Sequence, residues 1–243
     1  MNFDDLTIND LLEIAKELDI KEISDVKDKI IIDIKKCFKE YEDYNKQKFS
    51  KYIRISQLGN DGKDAKTYLV KTTTDGKEYA MKTFKKTKSI NKIKEESRLQ
   101  TLAANFGISP KIIDIDLIGK NIIMEKMDIH LYDVMKTQNG NITINHQKQL
   151  IDIFEKLDKA KVMQNDANIL NYMIKNDKIM IIDFGMAKAI DKKLIKKLGH
   201  ENPNMKFMLL GFILKLKEFK CPESSYQYLL NFVSEKDKND FDI

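Results

Sequence analysis

Four apolar residues, Ile179 to Ile182, run without interruption into Asp183-Phe184-Gly185. An apolar run this short, bounded by a turn residue, reads as a buried strand. Such a strand delivers a carboxylate at its end. The aromatic ring that follows turns back into a core, and the glycine frees the backbone for a change of direction. A carboxylate placed this way suits a divalent metal held against nucleotide phosphates. The triplet alone is a weak signal, so its meaning depends on what stands before it.

The 243 residues suffice for one large domain or two small ones, and 42% of them are hydrophobic, so a core is available. Basic residues exceed acidic ones by only five, which permits phosphate binding without announcing a nucleic-acid protein. Arg54 and Arg98 are the only arginines, and every other strongly basic residue is lysine. That bias, with abundant Ile and Asn, reads as the codon usage of an AT-rich genome. Cys37 and Cys221 lie far apart and suit free thiols in a reducing compartment. The N-terminus carries Asp4, Asp5 and Asp10, which is wrong for a signal peptide, and the longest apolar run, Met208 to Leu214, is too short to span a bilayer. The expectation is an intracellular, cytoplasmic protein with no membrane partner.

Residues 1–48 read as a helical hairpin. Leu11, Leu12, Ile14, Ala15 and Leu18 form one stripe behind Thr7 as N-cap, and Val26, Ile30, Ile31, Ile34, Cys37 and Phe38 form a second. The pair resembles small DNA-binding modules of the SAP type. The alternative is an extension bracing the next domain. From Lys51 the period changes to strands: KYIRISQLG, a glycine-bearing turn, KTYLVKT, the turn TDG, and KEYAMKTF. Ser89 to Phe106 reads as a helix with Leu99, Leu102, Ala103 and Phe106 on one face and Gly107 at its C′ position, and two further strands follow. After Met127 the chain turns helical, with a short helix at LYDVM, a longer amphipathic one at Gln147 to Lys159, and a lysine-rich helical stretch over 191–220. Strands first and helices second predict an α+β, two-lobed architecture. Residues 49–127 would form the sheet lobe and 128–243 a reduced helical one.

Three further signals precede Asp183. Asn60, Gly62, Ala65 and Thr67, with Gly59 nearby, mark a loop between two strands whose small residues would let backbone N–H groups approach phosphates. Tyr79-Ala80-Met81-Lys82 places a lysine in an apolar strand, which is unfavourable unless the charge is paired. Glu96 or its neighbour Glu95 on the following helix offers the carboxylate. Asp166 and Asn171 stand five residues apart in NDANILN, between a helix and a strand. Asp166 would accept a hydrogen bond from an attacking hydroxyl, and Asn171 would ligate a metal. Each motif is common by chance; together, in this order and on these elements, they are not.

The chain at this point resembles the eukaryotic-like protein kinase superfamily over about residues 51–215. YAMK matches the strand-lysine motif, DFG matches unchanged, and NDANILN fills the catalytic-loop slot. ESRLQTLAANFGISPKII resembles the helix and strand of compact atypical kinases, those of the RIO and tRNA-modification-complex types, and also the small kinases of large DNA viruses. A viral source would place the protein in host cytoplasm or virion. The resemblance implies that Lys82 binds the α- and β-phosphates of ATP and that Glu96 orients it. Asp166 then positions the acceptor, and Asn171 and Asp183 hold Mg²⁺ or Mn²⁺. It makes Met124 the gatekeeper and Glu125 to Met127 the hinge that meets adenine, with Gly59, Gly62, Ala65, Thr67 and Ala80 around the nucleotide.

The departures from that pattern are specific. Gln164 and Asn165 replace the His and Arg before the catalytic Asp, and no Ser, Thr or Tyr lies between Asp183 and Pro203. Control by activation-loop phosphorylation is therefore not expected. Asn168 replaces the lysine of Ser/Thr kinases, no Ala-Pro-Glu follows, and the 40 residues after Pro203 are few for a helical substrate platform. The reading is an ATP-dependent protein kinase acting on Ser/Thr of a protein substrate. The alternatives are an ATPase-type switch or scaffold and a small-molecule phosphotransferase. The lysine-rich stretches 85–94 and 191–197, or residues 1–48, would be where a nucleic acid or acidic partner binds.

Overall fold

The computed structural model describes the backbone of all residues except 1, 2, 4, 5, 22, 24 and 25, and within the helices it leaves the side chains of residues 17, 38–42, 45 and 46 undescribed. Asp4 and Asp5 of the N-terminus, residues 22, 24 and 25 of the link between the two N-terminal helices, and the side chain of Phe38 thus lie outside the described residues. The expected α+β class is what the structure has, an antiparallel sheet with helices. The chain divides into two compact units: residues 1–95 with 113–126, and residues 96–112 with 127–243.

The first unit begins with α1 (Ile8–Glu17) and α2 (Lys27–Ser50). Thr7 caps α1 as its sequence predicts, its hydroxyl accepting the Asp10 N–H at 3.1 Å, an arrangement worth about 1 kcal/mol. Leu11, Ile14, Ala15, Ile30, Ile31 and Ile34 are buried, while Val26, the first residue of the second predicted stripe, is 49% exposed. Its position explains this: Val26 is the N-cap, outside the helical period. Five strands follow: β1 (Tyr52–Leu58), β2 (Ala65–Thr72), β3 (Glu78–Phe84), β4 (Ile112–Asp116) and β5 (Asn121–Glu125), ordered β1-β2-β3-β5-β4. Ala65 and Thr67 belong to β2 and not to the preceding loop, because the Gly62 N–H closes the turn onto the Ala65 carbonyl at 3.0 Å.

α2 runs almost directly into β1, and two kinds of contact fasten it there. Phe49 packs on a cluster of Tyr52, Val70, Met81 and Ile123. Asp114 on β4 accepts from Lys48 Nζ at 2.7 Å, Lys51 Nζ at 3.2 Å and the Tyr52 hydroxyl at 3.0 Å. Burial pushes the Asp114 carboxyl up, but these three donors together hold it below the ordinary aspartate value.

α3 (Ile90–Asn105) spans the division between the units. Gly107 ends it with φ +68°, as expected of a C′ glycine. Leu99 and Ala103 are buried, but Phe106, predicted on the same face, is 41% exposed because it lies past the last helical residue.

The second unit holds β6 (Ile129–His130), α4 (Leu131–Thr137), α5 (Ile144–Lys159), β7 (Val162–Met163), β8 (Tyr172–Lys175), β9 (Lys178–Ile181) and β10 (Lys188–Ala189). α6 (Lys192–Leu198), a π-helical turn at Asn204–Met208, α7 (Leu209–Glu218), α8 (Gln227–Leu230) and α9 (Glu235–Phe241) complete it. β6, β8 and β9 form one antiparallel sheet and β7 pairs with β10. α5 starts three residues before its first predicted residue, because the Thr143 hydroxyl caps it through the His146 N–H at 3.1 Å. The core gathers Leu150, Phe154 and Leu157 of α5, Tyr172 of β8, and Leu209, Phe212 and Leu216 of α7. The rings of Tyr172 and Phe212 meet edge-on with centroids 4.9 Å apart. Each such buried side chain contributes about 1.5–3 kcal/mol, and β9, which ends two residues before Asp183, contributes Ile179 and Ile181 to the same core. No described helix is long and apolar enough to cross a membrane.

Candidate active site

In the first unit the predicted residues lie on neighbouring strands. Thr67 of β2 stands directly across from Lys82 of β3, and Ala80 of β3 across from Met124 of β5. Glu125 pairs with Tyr79 in the same ladder. The Lys82 ammonium lies 5.3 Å from the centre of the Phe84 ring, a distance at which a cation is attracted by the aromatic face. In the turn that precedes β2, Gly59 has φ +67°. A Cβ on Gly62 would stand 2.7 Å from the Ala65 carbonyl oxygen, so that turn requires glycine.

Glu96 and Met127 fall in the second unit, where both are buried, at 4% and 7% exposure. The remaining predicted residues, Asp166, Asn171 and Asp183, are drawn together there by a chain of hydrogen bonds. The Asn171 amide donates to the Asp166 carboxylate at 3.0 Å. The Ile182 N–H donates to the Asn171 carbonyl at 2.7 Å, immediately before Asp183. Asp183 itself has φ +59° and is exposed, and one of its carboxylate oxygens accepts the Gly185 N–H at 3.1 Å. Phe184 turns inward and is 1% exposed, as the motif requires.

Gln164, read from sequence only as a departure, is the residue that binds these parts. It is fully buried. Its side-chain amide donates to the Asp183 carbonyl at 2.8 Å, and its side-chain oxygen accepts the Asp166 N–H at 2.7 Å. One side chain therefore fixes the backbone of both carboxylates. Beneath it, the Gln164 N–H donates to the side-chain oxygen of Asn204 at 3.2 Å. The Asn204 amide donates to Asp158 at 2.7 Å and to the Val162 carbonyl at 2.8 Å. Asp158 also accepts the backbone N–H groups of Asn204 and Met205, each at 3.0 Å. Burial pushes the Asp158 carboxyl above its ordinary value in spite of these donors. The only sequence signals for this network were an acid among the α5 residues and a Gln in a slot where the resemblance expects His. The π-turn that presents Asn204 left no pattern.

α7 approaches the same loop closely. A Cβ on Gly211 would stand 2.8 Å from the Ala167 Cβ, next to Asp166. Asn165, with φ +62°, donates from its side chain to the Met186 carbonyl at 3.1 Å. Asn168, in the slot of the Ser/Thr-kinase lysine, is committed locally, its side-chain oxygen accepting the Leu170 N–H at 3.0 Å.

The donor set suits Mg²⁺. A carboxylate can only accept, so the NH₂ of Asn171 faces Asp166 and its amide oxygen faces away, where it is disposed to ligate. Together with the Asp183 carboxylate it would offer two hard oxygen ligands, and Mg²⁺ in nucleotide sites takes one or two carboxylates and completes its shell with phosphates and water. Among the described residues no cluster of three or more His, Cys, Asp or Glu side chains forms a metal cage.

No family model matches the chain. A stretch of 104 residues is 32% identical to the "Probable bifunctional tRNA threonylcarbamoyladenosine biosynthesis protein" of Methanosphaera stadtmanae, covering 41% of this chain and 18% of that relative. The chain thus matches less than a fifth of the relative's length. A crystal structure of a kinase domain matches with 18% identity and a TM-score of 0.49, over 58% of this chain and 52% of that one.

Proposed function

We propose that this protein-kinase-like chain, of the RIO and tRNA-modification type, is an ATP- and Mg²⁺-dependent kinase that transfers the γ-phosphate to Ser or Thr of a protein. The observation that carries the reading is the fastening of Asp166, Asn171 and Asp183 into one hydrogen-bonded assembly through Gln164. Phosphoryl transfer asks for positioning and charge neutralisation more than for covalent chemistry, and a rigid loop with two carboxylates and an amide supplies both.

Asp166 accepts the hydrogen bond of the incoming hydroxyl and orients its oxygen. Asn171 and Asp183 hold the divalent cation, which when bound neutralises the phosphate oxygens. Lys82 binds the α- and β-phosphates, and Glu96 orients that lysine. Backbone N–H groups of the turn around Gly62 approach the phosphates, while Ala80, Met124 and the segment Glu125 to Met127 meet the base. Nothing between Asp183 and Pro203 bears a hydroxyl, so the assembly is held in place by Gln164 and by the buried Phe184 and not by a phosphate.

One observation favours a slower, ATPase-type switch as the second reading. Asn168 spends its side chain on the Leu170 N–H, so no cation stands two residues beyond Asp166 to accompany the moving phosphoryl group. Labelled-ATP transfer by wild type and Asp166→Ala separates the two. The kinase reading expects a phosphorylated acceptor from wild type and a loss of about a hundredfold or more in the variant. Nucleotide hydrolysis with no phosphorylated acceptor would favour the switch.

A further inference from the structure

The two lysine-rich stretches singled out in the sequence differ in the structure. In residues 85–94 two of the five lysines are used internally. Lys88, only 7% exposed, pairs with Asp64 at 3.0 Å, and Lys94 pairs with Glu13 at 2.8 Å. In α6 the four lysines, Lys192, Lys193, Lys196 and Lys197, are all exposed, and among the described residues none has a carboxylate within ion-pair distance. Asp191, the acid beside them, is taken by its role as N-cap, accepting the Leu194 N–H at 2.7 Å. Other helices of the chain pair their lysines along one face, as Lys136 with Asp133, Lys156 with Asp152 and Lys238 with Glu235.

α6 is also badly arranged for its own stability. Lys192 and Lys193 occupy the first turn, where the helix dipole disfavours positive charge. Lys192 and Lys196, and Lys193 and Lys197, are like charges four apart on the same face. An anion laid across the helix would relieve both conflicts.

Its position in the chain says which anion. The segment leaving Asp183 is fastened to the Asp166 loop by the Asn165–Met186 hydrogen bond and by the pairing of Lys188 with Met163. The Ile190 N–H then bonds the Lys161 carbonyl at 2.8 Å, and α6 begins two residues later. Lys161 and Lys188 are exposed and, among the described residues, likewise have no carboxylate within ion-pair distance, so six exposed lysines lie on α6 and on the backbone that ties it to the Asp166 loop. Met186 stands among them, 60% exposed. An exposed, flexible apolar side chain among lysines suits a polypeptide with side chains to bury better than a phosphodiester backbone.

We infer that α6, with Lys161 and Lys188, is the docking surface for an acidic acceptor: the substrate is a polypeptide segment with Asp and Glu flanking its phosphorylated residue. The proposal rests on the kinase reading for its acceptor, but its binding component is measurable without catalysis. Fluorescence anisotropy on the full chain compares an Asp/Glu-rich peptide containing one serine, a neutral peptide of the same length, and a single-stranded RNA of the same net charge. The comparison is repeated with the quadruple variant Lys192→Gln, Lys193→Gln, Lys196→Gln, Lys197→Gln. The acidic peptide should bind wild type at least about tenfold more tightly than the neutral one, weaken with salt, and lose about tenfold in the variant. The variant should melt no lower than wild type, because it loses only repulsion. Equal binding of acidic and neutral peptides, RNA binding more tightly than the acidic peptide, or a lower melting temperature in the variant would each overturn the inference. If the acidic peptide binds in this manner and no phosphate is transferred to it, the surface stands and the kinase reading fails.

Discussion

Gln164 lets one side chain serve two backbones, because a primary amide carries a donor and an acceptor at opposite corners. Its bonds to the Asp183 carbonyl and the Asp166 N–H span stretches 19 and two residues away in sequence. Gln164→Leu keeps the apolar volume and removes both bonds. The expected result is a drop of about tenfold or more in kcat with the KM for ATP nearly unchanged, since Gln164 is fully buried and acts through the backbones it holds. Gln164→His, which retains a donor on the ring, should recover part of the loss; equal kcat in wild type and Gln164→Leu would remove Gln164 from the account. Asn204→Ala tests the layer below. It takes two donors from buried groups and should lower stability by about 1–3 kcal/mol, read from the denaturant midpoint. Asp166, Asn171 and Asp183 were legible in the sequence because their spacing is local and their elements are signalled by period and turn residues. Gln164, Asp158 and Asn204 were not, because a buried hydrogen bond between residues 40 or more apart, as in this network, leaves no periodic trace.

Two ion pairs tie the N-terminal hairpin to its own unit, and we propose that it serves as a brace. Glu13 of α1 pairs with Lys94 of α3, two residues before Glu96, and Asp114 receives Lys48 at the end of α2. Both anchors are carboxylates with lowered pKa. The hydrogen bond from Lys94 is the largest influence on Glu13; for Asp114, burial raises it and the donors outweigh burial. A carboxyl whose folded pKa is depressed adds stability above its unfolded value, near 4.5 for Glu13 and 3.8 for Asp114. That stability disappears as pH falls through the lower folded value. Amide protection factors of α1 and α2, taken relative to the intrinsic rate at each pH, should therefore fall on acidification below about pH 4, ahead of β3 and β5, and Glu13→Gln should lower those of α1 at neutral pH. Protection factors of the hairpin that respond neither to acid nor to Glu13→Gln would refute the brace. The helices themselves were legible from their apolar stripes and from Thr7. Their anchoring was not, because each ion pair joins residues more than sixty positions apart. The start of α5 was misplaced because the cap at Thr143 outweighs the apolar period, and Phe106 left its predicted face because Gly107 ended the helix first.

For the whole molecule, the α+β class followed from the switch of period near residue 51 and again after Met127. The internal boundary is less visible, since α3 runs through it without a turn or composition change. On the proposed reading, the loop holding Asp166, Asn171 and Asp183 performs phosphoryl transfer. The most direct test of that reading is incubation of the purified chain with γ-labelled ATP, Mg²⁺ and an Asp/Glu-rich serine peptide, with Asp183→Asn in parallel and the phosphorylated residue located by mass spectrometry. Wild type should give phosphoserine in the peptide, and Asp183→Asn should lose about a hundredfold or more. Transfer by Asp183→Asn at the wild-type rate, or no labelled acceptor from wild-type protein that binds ATP, would contradict that reading.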